Sequence, residues 1–334
     1  MAAFDAVFVG LTILDIAGRP VIDIPPRGGV AFIEQIRLNP AGTAAGANIN
    51  AAKLGIRTAA VACLGEDEKA DFILASYARL GIDCSLIQRT AQQETSATIL
   101  PIRPNGERPA LHCRGASDAL FVSEEEFDAI LDCRFLHHGG SGLLAAMDRG
   151  QSALLLRAAK ARGVVTSFDL IAPNENTLEL LRSLLPSVDY FMPSLEEASY
   201  LSGRTDPADI ARFFFELGVG TLHSEGWRKR LVAADRRRWH RTYRGVSGQC
   251  RGYHRLRRQL LRRLYCRAGP RVKHQRGVRG GFRRRRAGGD RDGIGCRRGG
   301  LAAYAGLYGG KPARIKSFAA ASRGGKSGLA PLIE

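Results

Sequence analysis

The sequence predicts an α/β fold: a mostly parallel sheet between helices, with a small β lid. Three observations predict it. Apolar strand-like runs are continuous rather than alternating, strand and helix patterns take turns from residue 4 to 220, and two hairpin textures rich in Pro and Gly interrupt that rhythm. A length of 334 residues is ample for a buried core.

Apart from Asp5, Phe4 to Leu11 is a continuous apolar run, suited to a strand covered on both faces, and Asp15 follows at its mouth. Residues 17–40 mix Val21-Ile22-Asp23-Ile24 and the run to Leu38 with Pro20, Pro25, Pro26 and Pro40, the texture of an exposed lid hairpin. Ala44 to Leu54 is a small-residue helix, Thr58 to Leu64 a strand, and Asp67 to Leu80 a helix with Phe72, Leu74, Ala75 and Leu80 near helical spacing. A second lid hairpin falls at 95–115, where Asn105-Gly106 tolerates the positive φ of a tight turn. Ser123 to Glu126 is a capping box opening a helix to Leu131. Phe135 to His138 is a strand, Asp148 to Ala161 a helix, and Val164 to Asp169 a strand. Glu175 to Leu185, Val188 to Met192, Leu195 to Leu201 and Asp209 to Leu217 continue the alternation, with Pro207 at a helix start. In such sheets ligands gather at the C-terminal ends of strands, and Asp15, Gly42, His138, Asp169 and Ser194 are placed there.

The charge is confined to one block. Residues 221–300 hold 24 Arg and 2 Lys against 4 acids, a net +22, so the rest of the +18 chain sums to −4. Caps, periodicity and turn grammar fade in that block, which predicts little regular structure there, and 301–334 form a tail of undefined character. With Trp227, Trp239 and Tyr243 interspersed, it offers an alternative reading: a polyanion- or nucleic-acid-binding tail. It lacks any recognisable binding module, so specific nucleic-acid recognition is not expected. The seven cysteines form no C-x-x-C pair, and no segment has the length and apolarity of a membrane span. A reducing cytoplasm is the expected compartment. His137 and His138 end a strand, where packing is the expected role and metal ligation the lesser alternative.

Three stretches together resemble the PfkB/ribokinase family of carbohydrate and nucleoside kinases. They are Val9-Gly10-Leu11-Thr12-Ile13-Leu14-Asp15, then Ala41-Gly42-Thr43 through Asn48 to Leu54-Gly55, then Met192-Pro193-Ser194-Leu195-Glu196-Glu197. The resemblance implies a ribokinase-like fold and an ATP-dependent sugar kinase, transferring the γ-phosphoryl group to a carbohydrate hydroxyl with Mg2+. It implies sugar contacts from Asp15, Gly42, Gly46, Asn48 and Arg114, the last in a lid-like stretch Arg114-Gly115-Ala116-Ser117. The family's usual Asn falls at Gly46, and Asn48 or Asn50 is the substitute. Ser194 and Glu197 take the nucleotide-facing place, with Glu197 reaching the metal through water. Ser-x-x-Glu is equally an ordinary capping box. A carboxylate at Asp15 suits two neighbouring hydroxyls in either case. The lid strands offer a surface for a homodimer.

The family's catalytic D-T-x-G-x-G-D string does not occur; Gly252 to Cys266 stands in its place, with Arg258 at the expected Asp position. Arg is an obligate cation and cannot serve as a base. Writing Gly252 to Cys266 as codons and starting one nucleotide later permits Asp-Thr-Thr-Gly-Cys-Gly-Asp and the helix after it. A slipped reading frame near residue 221 therefore accounts both for the missing string and for the arginines, since GGC and GCC read out of register become Arg codons. The chain as written is expected to be inactive as a kinase.

Overall fold

A computed structural model of the protein describes residues 2–226, 230–235 and 238–244. Strand β1 (Phe4–Gly10) shows why the central sheet must be covered twice. Val7 and Val9 join one core cluster with Leu136 and Phe168, whereas Ala6 and Phe8 join another with Ala47, Ala51 and Phe135. Alternate side chains thus enter opposite apolar layers, the condition under which a strand reads as a continuous hydrophobic run.

Around β1 lie β4 (Thr58–Val61), β9 (Cys133–Ser141), β10 (Val165–Leu170), β11 (Tyr190–Phe191), β12 (Thr221–Gly226), β13 (Arg230–Asp235) and β14 (Arg238–Arg244). Their order is β14-β13-β12-β11-β10-β9-β1-β4. Pairing is parallel from β4 through β12 and antiparallel for β13 and β14. The connecting helices are α1 (Thr43–Ala52), α2 (Glu68–Arg79), α3 (Phe127–Leu131), α4 (Gln151–Ala161), α5 (Thr177–Leu184), α6 (Leu195–Ser202) and α7 (Pro207–Glu216). Their starts follow capping chemistry: Asp67 accepts from Ala70 N at 2.9 Å, and Asp206 accepts from Ala208 N and Asp209 N with Pro207 next in line. Ser123 and Glu126 form the expected box, which opens a 3-10 turn before α3. An aromatic ladder braces the centre, with ring centroids 5.7 Å apart for His138–Phe168, 5.6 Å for Phe168–Phe191 and 5.1 Å for Phe191–Phe214.

The lid is a second sheet, β3-β2-β7-β8, built from β2 (Ile13–Arg19), β3 (Gln35–Ala41), β7 (Ala97–Pro101) and β8 (Leu111–Cys113). A short parallel pair, β5 (Cys63–Gly65) with β6 (Gln88–Thr90), lies beside it in sequence. The lid is rooted in the body by a knot of short polar contacts. Thr95 N donates to Asp67 Oδ2 at 2.7 Å, Ala116 N to Glu94 O at 2.8 Å, Ser117 N to Ser96 Oγ at 3.0 Å and Leu14 N to Ser96 O at 3.0 Å. Ser96 Oγ in turn donates to Arg114 O. Burial would raise the Asp67 carboxyl, but hydrogen bonds from the Thr95 hydroxyl, Ala70 N, Thr95 N and Lys69 hold it down to about 2.

Two expectations need correction. The first lid strand begins at Ile13, so Asp15 lies inside β2 of the lid and not at the mouth of β1. Residues 20–34 join β2 to β3 without forming a strand, since Pro20, Pro25 and Pro26 cannot donate to a ladder. Secondly, three strands, β12 to β14, lie beyond residue 220 where the sequence showed no strand pattern. Ladder pairing is a backbone property, and a tally of arginines does not register it.

Burial pushes His138 and His223 down to about 4, leaving two neutral imidazoles inside the fold. Below about pH 6.5 the unfolded chain takes up these protons and the folded one does not, so stability falls as pH drops from about 6.5 towards about 4. Asp15, Asp148 and Glu197 are raised by burial and act in the opposite sense. Replacing His138 by Phe should remove about 2 kcal/mol of the stability difference between pH 7 and pH 5. Urea midpoints at the two pH values measure it.

Candidate functional site

The site is built where β1 and β9 end beneath the lid. Gly10 pairs with Gly139, and a Cβ on Gly10 would lie 2.1 Å from Gly139 O. Gly42, the residue before α1, has φ 101°, and a Cβ there would lie 2.3 Å from Leu11 O. Both positions admit only glycine. The helix that follows has no side-chain cap and no acid in its first turn, so its N-terminus faces the β1 end with the helix dipole uncompensated. Thr43 Oγ1 is buried at this helix start without a hydrogen-bond partner. Asp148 fixes the loop after β9, its Oδ2 accepting from Gly142 N at 2.8 Å and Leu144 N at 3.4 Å.

Asp15 sits on the lid strand above this floor, paired with Asn39 on one side and Thr98 on the other. Burial raises its carboxyl to about 6, with the positive charge of Arg108 pulling the other way. A carboxyl raised by burial and set among polar neighbours is a candidate for a binding or catalytic position. Asn39 and Thr98 were not evident from sequence, because they reach Asp15 through strand register and not through spacing along the chain.

The other expected site residues divide. Gly42 caps α1 and Gly46 lies in its first turn, Gly46 N donating to Gly42 O at 2.8 Å. Asn48 is buried in α1, where its Nδ2 donates to Ala59 O at 3.3 Å and braces α1 against β4. Its Oδ1 is left buried without a hydrogen-bond partner, so only the donor side of the amide is committed. Arg114 is likewise committed, since Nε and Nη2 each donate to Asp118 at 2.6 Å in a bidentate fork. Asp118 also accepts from Ala145 N at 3.2 Å, so the pair belongs to the lid root.

Ser194 and Glu197 form a reciprocal capping box at α6: Ser194 N donates to Glu197 Oε2 at 2.7 Å and Glu197 N to Ser194 Oγ at 3.1 Å. Burial raises the Glu197 carboxyl. Asp169 is 1% exposed at the end of β10, opposite Gly139. His138 is fully buried, its Nε2 3.1 Å from Ser141 Oγ, and no group of three His, Cys, Asp or Glu is arranged for a metal among the described residues. Arg258 and the rest of the arginine block beyond residue 244 lie outside the described residues.

A family model for pfkB family carbohydrate kinase matches residues 3–222. The chain belongs to that family. Probable fructokinase-7 of Arabidopsis thaliana is 28% identical over 204 residues, 58% of this chain and 59% of its own length. The fructokinase of Klebsiella pneumoniae is 25% identical over 197 residues, 57% and 63% of the two chains. The pfkB chain described here thus spans about three-fifths of the length of these curated relatives. Among solved structures, a PfkB protein from Polaromonas sp. JS666 superposes with a TM-score of 0.66 at 21% identity, covering 80% of this chain and 90% of that one. Arabidopsis thaliana ribokinase complexed with ribose and ATP gives 0.63 at 18%, with 74% and 80% covered. At such identities the likeness shows the fold, which is ribokinase-like. No helix among the described residues is long and apolar enough to cross a membrane.

Gly42→Ala places a methyl against the Leu11 carbonyl at a positive φ, and should cost about 2–4 kcal/mol. Chemical denaturation of the variant beside Gly46→Ala, which sits inside the helix, measures the difference; Gly46→Ala should be neutral or stabilising.

Proposed function

We propose that this chain carries the sugar-binding body and lid of an ATP-dependent sugar kinase, whose full activity transfers the γ-phosphoryl group to a carbohydrate hydroxyl. The observation that carries the reading is the Asp15 carboxyl, held on a lid strand above the glycine floor and raised to about 6 by burial. It is mostly ionised at neutral pH, and its two oxygens can accept from adjacent hydroxyls of one sugar. Fructose and ribose are the first substrates to consider, since relatives and structural neighbours are named fructokinase and ribokinase.

The described residues fit a sugar better than they fit nucleotide and magnesium. Family membership implies ATP, and Ser194 and Glu197 are the residues that resemblance assigns to it and, through water, to Mg2+. Yet Glu197 Oε2 already serves the helix cap, and the glycine-rich string that would cradle a transferring phosphoryl group is missing from the sequence. No phosphoryl-transfer step is therefore assigned to these residues. A slipped reading frame near residue 221 explains the mismatch; the end of the family match at 222, where the arginine block begins, supports it. The domain division proposed is a family body ending at that point, an out-of-frame segment to 300, and a tail. A reducing cytoplasm is the proposed compartment, in keeping with four free cysteines among the described residues.

The chain as written should show no ATP-dependent phosphorylation of fructose or ribose, while a frame-restored version should. A coupled ADP-release assay on both, with DNA sequencing across codons 215–230, tests this. An uninterrupted gene whose product phosphorylates sugar would overturn it.

The outer lid face supports a homodimer. Paired residues Leu38, Ile16, Ile99 and Leu111 form an apolar row across all four strands, and Leu38, Ile99 and Leu111 are 43%, 51% and 64% exposed. Such a face is costly to leave in water. Ile99→Lys should shift the protein from dimer to monomer in light scattering coupled to size exclusion.

A further inference from the structure

The loop 140–148 leaves the end of β9 and is held from two sides by two aspartates. On the body side, Asp148 Oδ2 accepts from Gly142 N at 2.8 Å and Leu144 N at 3.4 Å, and the Ser141 hydroxyl bonds to the same carboxyl. On the lid side, Asp118 Oδ1 accepts from Ala145 N at 3.2 Å, and the Asp118 carbonyl from Ala146 N at 3.1 Å. Asp118 is itself gripped by the Arg114 fork, both bonds 2.6 Å long. The loop begins directly under the site: a Cβ on Gly140 would fall 2.4 Å from Leu11 Cβ and 3.2 Å from Thr43 Oγ1. Any shift of the loop is therefore passed to the floor.

Asp148 is expensive to keep ionised where it stands. Its Oδ1 is buried without a hydrogen-bond partner, and burial raises the carboxyl. Among the charged and titratable groups around it, Arg114 at the lid root draws it back down, and Asp118 is spent on that same guanidinium. Arg149, next in sequence, is exposed. His138, with Nε2 3.1 Å from Ser141 Oγ, is neutral because burial holds it at about 4. A Ser141 hydroxyl that gives its proton to Asp148 must accept from His138 Nε2, which fixes the imidazole tautomer. A proton arriving at Asp148 finds Oδ1 open and leaves Oδ2 a neutral acceptor, whose bonds are about half as strong. The loop is thus held firmly only while Asp148 carries its charge.

We propose that Arg114 and Asp148 are positioning residues for the sugar floor: Arg114, anchored by Asp118, brings its positive charge within reach of the Asp148 carboxylate, and that carboxylate fixes the loop 140–148 against Leu11 and Thr43. Neither touches substrate; both act through Gly140. The assignment rests on the sugar-kinase reading and extends it, giving Arg114 a task other than the sugar contact that the resemblance implies. It also joins the lid root to the floor through one pair of opposite charges.

Carboxyl NMR of the full chain labelled with carbon-13 aspartate reads Asp148 directly, its resonance being the one lost in Asp148→Asn. Arg114→Gln should move the Asp148 titration to higher pH. Arg114→Lys, which keeps the charge and gives up the fork, should leave it near wild type, whereas a purely structural fork would fail in both variants alike. Isothermal titration with D-fructose and D-ribose at neutral pH reads the floor: Asp148→Asn and Arg114→Gln should each weaken binding about 3- to 10-fold, with Arg114→Lys closer to wild type. Thermal melts of each variant separate lost binding from lost folding. If Asp15→Asn abolishes binding while Arg114→Gln and Asp148→Asn stay within twofold of wild type, or if Arg114→Gln leaves the Asp148 titration unmoved, the positioning assignment is wrong and the sugar reading stands. If wild type binds neither probe, the sugar reading falls and takes the assignment with it.

Discussion

Leu11 is where three elements meet. Its N–H donates to Gly139 O at 2.8 Å, its carbonyl accepts from Ala45 N at 3.3 Å, and Gly42 passes over that carbonyl with no side chain between. One residue thus joins the end of β1 to β9 and to the start of α1. The glycines around it exist because the backbones approach too closely for a Cβ. A floor made largely of main chain follows, with the unpartnered Thr43 hydroxyl beside Gly139 and Gly140, and Asp15 a few residues further on in the lid strand. Displacing any of the three elements would move the floor and the lid strand together, because β2 continues directly from β1 past Leu11.

Much of this was legible in the sequence. Phe4 to Leu11 reads as a doubly buried strand, and Ala6, Val7, Phe8 and Val9 alternate between two cores as that reading requires. The caps at Asp67, Ser123 and Ser194, and Pro207 at a helix start, are local signals that tertiary packing left intact. What sequence could not supply was register. The run from Ile13 to Arg19 looks like the loop after a strand until β3 and β7 are seen to flank it. Arg114 carries a suitable functional group but its fork is taken by Asp118, and Asn48 gives an N–H to Ala59 O while its Oδ1 has no partner. A residue type near the right place is a weak guide where a nearer partner competes for it.

The polar and apolar faces of the lid are best understood together. A four-stranded sheet attached to a body can bury one face against a ligand and the other against a neighbour, and each demands a different chemistry. Asp15 is half-buried on one face, whereas Ile99 and Leu111 on the other are 51% and 64% exposed. Ile16, between Leu38 and Ile99 in register, is partly buried against the α2 cluster, so the outer face is anchored at its centre and exposed towards Ile36 and Leu111.

The polar knot at the lid root has a mechanical consequence. Leu14, Ser96, Ala116 and Ser117 are cross-bonded within a short stretch of each crossing between lid and body, and Thr95 is tied to the cap of α2. A plate fastened along one border in this way tilts as a unit about that border. It does not peel back strand by strand.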